Sequence, residues 1–310
     1  MTNPGPTRGL SALAQCSRDL ENAVEHAANC TVTVYGRRRL PASGIAWSPD
    51  GSIVTANHVV ERDEDVTIGL PSGERLAVSV RGRDIRSDLA FLAPESPDAV
   101  KSLTAERSDL IPRPGTMVVA LGRPGNGGIM ASFGAVSATG IGFAYTQDKE
   151  VANALRADVA MLPGFSGGPL IDTEGRILGM NSSHLLGGLT LTTALIDGVV
   201  ASLAEYGRVR QGYLGIGAQS VKLPSGGSAG ASDATQERGL LIVAVEEGGP
   251  AGRAGLLLGD VILRVADTAV SHVETLQALL TGDRVDSQVS ITLVRAGHLE
   301  ETTVTVGDRA

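Results

Sequence analysis

The apolar positions of the chain fall into many short runs after its first 30 residues. Over residues 8–29, Leu, Ala and Val are spaced among charged residues, which predicts one amphipathic helix. From there to residue 193 the runs are β-rich and bounded by turn residues. The predicted strands are 31–35, 44–47, 52–56, 66–70, 77–83, 89–92, 116–122, 131–138, 158–161, 169–172, 177–182 and 190–193. Many short strands with few helices between them indicate an antiparallel sandwich or barrel.

A helix is predicted over residues 196–207. After it, the apolar positions alternate between the spacing of strands and that of helices. This pattern predicts strands at 239–246, 260–265 and 288–295, with a new strand starting at Tyr213, a short helix at 250–254 and a helix at 273–280. A Gly-, Ser- and Ala-rich stretch over 222–238 predicts a loop within this part. We therefore expect an N-terminal helical segment (1–30), a β-rich domain (31–210) and a mixed α+β domain (211–310).

Composition narrows the classes of partner and compartment. The net charge of −8 over 310 residues argues against nucleic acid or an anionic membrane as the main partner. No apolar stretch approaches 18 residues and no apolar leader is visible, which predicts a cytoplasmic protein without a membrane span. Cys16 and Cys30 lack the paired spacing of a metal site, and both two free thiols and one disulfide remain open.

The chemistry centres on the segment Gly164-Phe165-Ser166-Gly167-Gly168. Glycines around a serine let backbone N–H groups converge beside its oxygen, as a developing oxyanion requires. A serine hydroxyl is a weak nucleophile and needs a base. His58 at the end of a predicted strand and Asp88 just before another are the candidates for that base and its partner.

The order of these three residues separates two classes of serine hydrolase. GFSGG also fits the nucleophile elbow of α/β-hydrolases, whose acid and histidine follow the serine within alternating strands and helices. Here His58 and Asp88 precede Ser166, and no such alternation surrounds it. The order His, Asp, Ser is that of chymotrypsin-like enzymes, so an esterase of the α/β-hydrolase type is the less favoured reading.

Several longer motifs resemble one family. The stretches SGIAWSPDGSIVTANHVV, SDLAFL and DVAMLPGFSGGPLIDTEGRILGMNSS resemble the HtrA/Deg family of trypsin-like serine proteases. The stretches QGYLGIGAQSV and GLLIVAVEEGGPAGRAGLLLGDVILRVADTAV resemble the PDZ domain that follows the protease in that family. Together the two resemblances cover roughly residues 20–307.

The resemblance implies a mainly β fold, a chymotrypsin-like double β-barrel followed by a PDZ domain. His58 would act as the general base, Asp88 would orient it, and Ser166 would be the nucleophile. The backbone N–H groups of Gly164, Phe165 and Ser166 would form the oxyanion hole, with Phe165 standing where the family usually has Asn. The substrate pocket would be lined by Ala160, Met161, Leu162, Ser182 and Ser183.

That pocket holds no carboxylate at the sixth position before the nucleophile, where Ala160 stands. We therefore expect a preference for small or medium apolar side chains over Arg and Lys. In the PDZ domain the resemblance places a carboxylate-binding loop at Tyr213, Leu214, Gly215 and Ile216. Leu276 is equally an expected pocket or core residue.

The implied function is a serine endopeptidase acting on unfolded or misfolded proteins in protein quality control and stress response. The PDZ domain would bind peptide C-termini or extended segments. A non-proteolytic chaperone or peptide-binding scaffold is the alternative from another class. No cofactor and no metal are expected, with water as co-substrate. The resemblance also implies a homotrimer, for which the family often uses N-terminal aromatic residues, and Tyr35 is the one obvious aromatic there.

Overall fold

The structure is a computed structural model that describes residues 11–103, 106–108, 110–125, 128–141, 154–223, 236–280 and 282–309. These residues fall into two compact units. The first unit takes the described residues up to 141 and from 154 to 208, and the second takes those from 209 to 309. Most of the predicted loop over 222–238 lies outside the described residues.

The first unit begins with helix α1 (Ala12–Ala28). The Ser11 side chain accepts a hydrogen bond from the Ala14 N–H and so satisfies one of the free donors at the helix start. The helix buries only alanines on its inner face, which lets it lie close to the barrel. Residues 8–10 of the helix predicted over 8–29 lie outside the described residues. In the described part of the chain, no helix is both long and apolar enough to cross a bilayer.

Both cysteines are free thiols, which decides between the two alternatives that the sequence left open. Cys30 is fully buried, and its Sγ lies 3.1 Å from the carbonyl oxygen of Ala27. Burial raises the pKa of the Cys30 thiol to about 12, because a thiolate there would lose its hydration. Cys30 is therefore a packing residue.

Six antiparallel strands close into the first barrel. In chain order they are β1 (Thr31–Tyr35), β2 (Ala42–Ala46), β3 (Ile53–Ala56), β4 (Thr67–Gly69), β5 (Arg75–Asp84) and β6 (Leu89–Pro94). They pair in the order β1-β2-β3-β6-β5-β4, and β4 returns to β1. Closure leaves no free sheet edge. A single 3-10 turn, Asn57–Val59, follows β3 and carries His58.

The second barrel has the same six-stranded, closed form. Its strands are β7 (Met117–Gly122), β8 (Met130–Ile141), β9 (Ala154–Ala157), β10 (Pro169–Ile171), β11 (Ile177–Ser182) and β12 (Leu189–Thr192), and a short helix α2 (Asp98–Lys101) precedes them. The order around the barrel is β10-β11-β12-β9-β8-β7. Helix α3 (Thr193–Tyr206) closes the unit. It is capped by Thr192 at its start, and Gly207 follows its end.

One strand prediction in this barrel is wrong. The stretch 158–161 was expected to be a strand, but the strand is β9, which ends at Ala157. After it, the Asp158 N–H still bonds to the Ala135 carbonyl, while the Ala160 N–H turns to the side chain of Ser132. Exposure still alternates over 158–161, but these residues lie beyond the end of β9, in the segment that leads to the Ser166 turn.

The second unit is a strongly twisted sheet with two short helices. Its elements are β13 (Gly212–Tyr213), β14 (Ile216–Lys222), β15 (Arg238–Val245), α4 (Pro250–Arg253), β16 (Val261–Val265), β17 (Thr268–Ala269), α5 (Val273–Leu279), β18 (Gln288–Arg295), β19 (His298–Thr305) and β20 (Gly307–Asp308). The main sheet runs β14-β15-β16-β18-β19, and β13 pairs with β20. The sequence did not predict β19, because its alternate residues are exposed Glu and Thr with little apolar signal.

Candidate active site

His58 and Asp88 lie on the segments that follow strands β3 and β5 of the first barrel, and their side chains contact each other. The Nδ1 atom of His58 lies 2.7 Å from Oδ2 of Asp88, and the backbone N–H of His58 donates to Oδ1 at 2.9 Å. The Asp88 side chain is 2% exposed, whereas that of His58 is 22% exposed. A buried carboxylate therefore fixes the orientation of a partly exposed imidazole, whose Nε2 is left for other chemistry.

The turn between β5 and β6 places Asp88 at this point. Asp84 is buried, and its carboxylate accepts hydrogen bonds from the N–H and the hydroxyl of Ser87. Asp88 itself has a φ of +54°, in the left-handed region that Asp tolerates better than most residues. Its carbonyl accepts the N–H of Asn57 at 2.9 Å, which ties the turn to the segment that carries His58.

Ser166 lies on a tight turn before β10 and is 6% exposed. Gly167 next to it has a φ of +86°, and a Cβ there would lie 2.0 Å from the Ser43 carbonyl oxygen. Only glycine fits this position. The Gly167 N–H donates to the Asn181 carbonyl at 2.8 Å, so the turn is also anchored to β11. These contacts hold the backbone of Ser166 in a single conformation.

Two of the three amides expected at the oxyanion hole are free to act there. The N–H groups of Gly164 and Ser166 make no hydrogen bond to another described residue. That of Phe165, in contrast, donates to the Leu162 carbonyl at 3.0 Å. The sequence-based expectation of three donors therefore reduces to two, because the middle amide closes the turn itself.

The Phe165 side chain points away from the cleft and into the second barrel. It is fully buried among apolar residues of β7, β8 and β10, including Val118, Val136 and Leu170. A Cβ on Gly122 would lie 2.5 Å from the Phe165 ring, so the ring occupies the space that the glycine leaves. The phenyl ring thus anchors the Ser166 turn by burial, where an amide side chain would need polar partners.

Ser43, on β2 of the first barrel, is a fully buried hub that holds the Ser166 turn. Its hydroxyl donates to the Gly164 carbonyl at 2.7 Å and accepts the Arg123 N–H at 2.8 Å. Its backbone N–H donates to the Ser166 carbonyl at 3.2 Å, and its carbonyl accepts the Thr55 hydroxyl at 2.7 Å. One residue of the first barrel therefore fixes the turn of the second.

Three consecutive residues at the end of β11 and just after it contact Asp88, Ser166 and His58. The hydroxyl of Ser182, the last residue of β11, donates to Oδ2 of Asp88 at 2.5 Å. The hydroxyl of Ser183 lies 2.8 Å from Oγ of Ser166. The His184 ring stacks on the His58 ring, with 5.2 Å between ring centres and 23° between planes.

This arrangement differs from the expected pocket, in which Ser182 and Ser183 stand across from the apolar residues. Both hydroxyls are instead used on Asp88 and Ser166. Of the other expected lining residues, Ala160 and Leu162 are exposed and Met161 is half-buried. A Cβ on Gly188 would lie 3.7 Å from Cγ of Met161, so that side chain faces the loop after β11.

The expected peptide-binding residues of the second unit line one groove. Tyr213, Leu214, Gly215, Ile216 and Leu276 all contribute to it. The amides of Leu214 and Gly215 make no hydrogen bond to another described residue. Leu276 is 4% exposed and also belongs to the apolar core, so pocket and core were not exclusive alternatives.

Sequence reasoning did not single out Ser43 or His184 as parts of this site. Ser43 lies inside the quoted motif SGIAW, but a buried serine in a strand gives no separate signal. His184 follows Ser166 in the chain, so the order His, Asp, Ser gives it no role. Its position two residues after Ser182 places it beside His58, which only the closed second barrel reveals.

Comparison with known proteins assigns both units to families. Residues 42–180 match the trypsin-like peptidase domain, and residues 212–306 match the PDZ domain. The chain is 32% identical over 278 residues to a probable periplasmic serine endoprotease DegP-like of Halomonas elongata, covering 87% of this chain and 57% of that protein. A protein of the same description from Rickettsia conorii is 28% identical, covering 82% and 51%. The chain spans about half the length of these curated relatives.

Solved structures match over nearly the whole chain. An HtrA-type protease AlgW with tripeptide is 30% identical, with a TM-score of 0.74, and the match covers 94% of this chain and 97% of that one. The serine endoprotease from Yersinia pestis is 27% identical, with a TM-score of 0.73, covering 94% and 98%. The double-barrel protease fold with a PDZ domain, expected from the sequence, is confirmed.

The expected cytoplasmic location is wrong. The curated relatives are named periplasmic endoproteases, which contradicts it. The expectation rested on the absence of an apolar leader, and the composition of a folded domain does not encode its compartment. The family assignment is independent of this error, because it rests on the barrels, the PDZ unit and the relatives. The chain belongs to the HtrA/Deg family of trypsin-like serine proteases with a C-terminal PDZ domain.

Proposed function

We propose that the chain is a serine endopeptidase that hydrolyses peptide bonds in unfolded or misfolded proteins, with His58, Asp88 and Ser166 as its catalytic triad. The observation that carries the proposal is the 2.7 Å contact between His58 and the buried Asp88, beside a serine on a glycine turn with two free amides. The family assignment supports it, since the relatives are named serine endoproteases.

In the proposed mechanism His58 Nε2 takes the proton of Ser166 as Oγ attacks the substrate carbonyl, and then gives it to the leaving amine. Asp88 holds Nδ1 protonated and stabilises the imidazolium that forms. The amides of Gly164 and Ser166 receive the oxyanion. Water then hydrolyses the acyl-enzyme by the same route in reverse, and no step needs a cofactor.

Substrate choice in this proposal has two parts. The residues before the turn, Ala160, Met161 and Leu162, offer apolar surface and no carboxylate, which favours apolar side chains at the cleaved bond. Only an extended segment can lie along the cleft as an added strand, so unfolded regions are the substrates. Cleavage-site mapping on an unfolded protein tests this, and mainly Arg or Lys sites would contradict it.

The PDZ unit is proposed to bind peptide C-termini, with the amides of Leu214 and Gly215 receiving the carboxylate. Binding of an apolar peptide to the Ser166→Ala protein, followed by fluorescence anisotropy, tests this without cleavage. The same peptide with an amidated C-terminus is the matched control. We expect amidation to weaken binding roughly tenfold or more, because charge-assisted hydrogen bonds are lost. Equal binding would exclude carboxylate recognition.

The test of the protease is Ser166→Ala against the wild type, on casein and with a serine-directed fluorophosphonate probe. We expect the variant to lose labelling and at least about 10³-fold in hydrolysis. Ser79→Ala is the matched control, since Ser79 lies on the exposed part of β5 and bonds only to the Ala93 carbonyl. Cleavage by Ser166→Ala would refute the triad.

A non-proteolytic binding scaffold is the second candidate. One observation favours it: in the described residues Ser166 Oγ bonds to Ser183 and makes no hydrogen bond to His58. A wild-type protein that binds peptides but neither cleaves casein nor labels would favour this alternative.

The proposal extends to organisation and place. The domains are proposed as 1–30, 31–210 and 211–310, with the protease units joined as a homotrimer on the family resemblance. Sedimentation of the whole chain tests the trimer, and a monomer mass would exclude it. The names of the relatives favour a periplasmic location. The acidic charge argues against a nucleic-acid partner.

A further inference from the structure

The hydroxyl of Ser166 is held by Ser183, a residue next to β11 of the same barrel, rather than by His58. Ser183 contacts Ser166 Oγ twice, through its hydroxyl at 2.8 Å and its backbone N–H at 3.2 Å. His58 directs Nδ1 to Asp88 and has no hydrogen bond to Ser166 among the described residues. The nucleophile and the base are thus close in the fold but not joined.

A serine hydroxyl has one proton to donate. When the Ser166 proton points to Ser183, it does not point to His58, and the transfer that activates the nucleophile cannot begin. Transfer of the proton to His58 requires that the Ser166 hydroxyl turn away from Ser183. The contact with Ser183 lowers the energy of the unreactive position and therefore sets part of the barrier to attack.

Resting on the proposed protease function, we propose that Ser183 is a further residue of the active site, whose hydroxyl holds Ser166 away from His58 between turnovers. The neighbouring contacts support this role, because Ser182 and His184 fix Asp88 and the His58 ring on either side. One short segment therefore sets the position of all three triad residues. The Ser183 hydroxyl takes no proton in the reaction; the Ser166 proton goes to His58 Nε2.

The proposal predicts a gain of activity, which a merely structural role would not produce. Ser183 is exposed, and within the described residues its hydroxyl contacts Ser166 alone. In Ser183→Ala the buried Ser166 Oγ keeps the Ser183 backbone N–H as a partner. We expect this variant to label with the fluorophosphonate probe roughly two- to tenfold faster than the wild type, the factor that one ordinary hydrogen bond is worth. Casein hydrolysis should rise in the same direction.

Ser183→Thr keeps a hydroxyl at the same position, so it should gain less labelling than Ser183→Ala. Ser79→Ala, on the exposed part of β5, is the matched control outside the site. Ser183→Gly is a second removal of the hydroxyl, so that a folding defect in one variant does not decide the result. All proteins are full-length, and their melting temperatures are compared. A rate for Ser183→Ala and Ser183→Gly equal to or below that of the wild type overturns the inference.

The outcomes separate this inference from the proposed function. If neither the wild type nor Ser183→Ala labels, or if Ser166→Ala labels as well, the protease proposal itself fails. If labelling depends on Ser166 but removal of the Ser183 hydroxyl brings no gain, only the present inference fails. If the Ser183→Ala variant reacts with the probe and the wild type does not, that result would be the strongest support for this inference.

Discussion

Each unit contains a buried aspartate with the same low exposure, but the two aspartates differ in their hydrogen-bond partners. The side chains of Asp88 in the protease unit and Asp260 in the PDZ unit are each 2% exposed. Asp260 receives two guanidinium hydrogen bonds from Arg295, at 2.9 and 2.7 Å, and the Leu257 N–H at 2.8 Å. Asp88 receives an imidazole, a hydroxyl and an amide, with no permanent cation among them.

The comparison indicates that the partner of a buried carboxylate, and not its degree of burial, decides whether the carboxylate serves stability or chemistry. Burial raises the pKa of Asp260, but the hydrogen bonds from Arg295 and Leu257 and the charge of Arg295 together outweigh it, and the pKa lies below its usual value. Arg295 never gives up its charge, so this pair is fixed. Asp88 is held by hydrogen bonds from the His58 ring, the Ser182 hydroxyl and the His58 amide, and none of these donors is a guanidinium.

The largest expected effect comes from Asp88→Asn. The amide keeps the shape of the site but presents an N–H or a neutral oxygen to His58, which allows the wrong tautomer. We expect kcat/KM for peptide hydrolysis to fall about 10⁴-fold. Folding, measured by calorimetry, should be retained. A variant that keeps most of its activity would show that Asp88 is structural, like its counterpart in the PDZ unit.

The second-largest effect is expected from Asp260→Asn. Unlike Asp88→Asn, this variant should lose stability and keep its hydrolytic activity. Losing the charge that pairs with Arg295 should lower the free energy of unfolding by about 1–3 kcal/mol, while hydrolysis of a short peptide by the folded protein is unchanged. Urea unfolding of the full chain measures the loss. A fall in activity without a fall in stability would contradict the assignment of Asp260 to stability and of Asp88 to catalysis.

The pH dependence gives that variant a second readout. Because the folded pKa of Asp260 lies below its usual value, its contribution to stability is present above the unfolded pKa and is lost as the pH falls through the folded value. The difference between wild type and Asp260→Asn should therefore shrink below about pH 4. A difference that stays constant down to pH 2 would exclude the charge as its cause.

Ser182→Ala sharpens the comparison within the protease unit. It removes the 2.5 Å hydrogen bond from the hydroxyl to Asp88 and leaves the His58 contact in place. A hydrogen bond to a charged group predicts roughly a tenfold loss of kcat/KM. Ser182→Thr, which restores a hydroxyl, should recover most of that loss. An unchanged rate for Ser182→Ala would mean that His58 alone orients Asp88.

The smallest effect is expected from Arg295→Lys. Lysine keeps the charge but not the two-pronged geometry, and it cannot reach both Asp260 and the Gly255 carbonyl at once. We expect a loss of about 1 kcal/mol or less in urea unfolding. A loss as large as that of Asp260→Asn would show that geometry, not charge, holds the pair.

The sequence predicts the parts of the molecule whose signal is local. Strand 177–182 can be predicted because its apolar residues and the turn residues beside it are neighbours in the sequence. The proposed triad residues can be predicted because each lies in a short motif and the motifs follow a known order. The sequence does not predict contacts that closure of the barrels creates. The Phe165 amide is used inside its own turn, and the hydroxyls of Ser182 and Ser183 bond to Asp88 and Ser166. Those outcomes depend on which way a side chain turns in three dimensions.

The hydrogen bond from Ser43 to Gly164 joins residues that lie 121 positions apart. During synthesis, at about 5–20 residues per second, the first barrel emerges on the order of 10 s before the glycine turn that it must hold. The two partners of this hydrogen bond therefore become available in chain order, Ser43 first and Gly164 last. A fragment that ends before residue 164 would hold the His58–Asp88 contact but would lack Ser166, the proposed nucleophile.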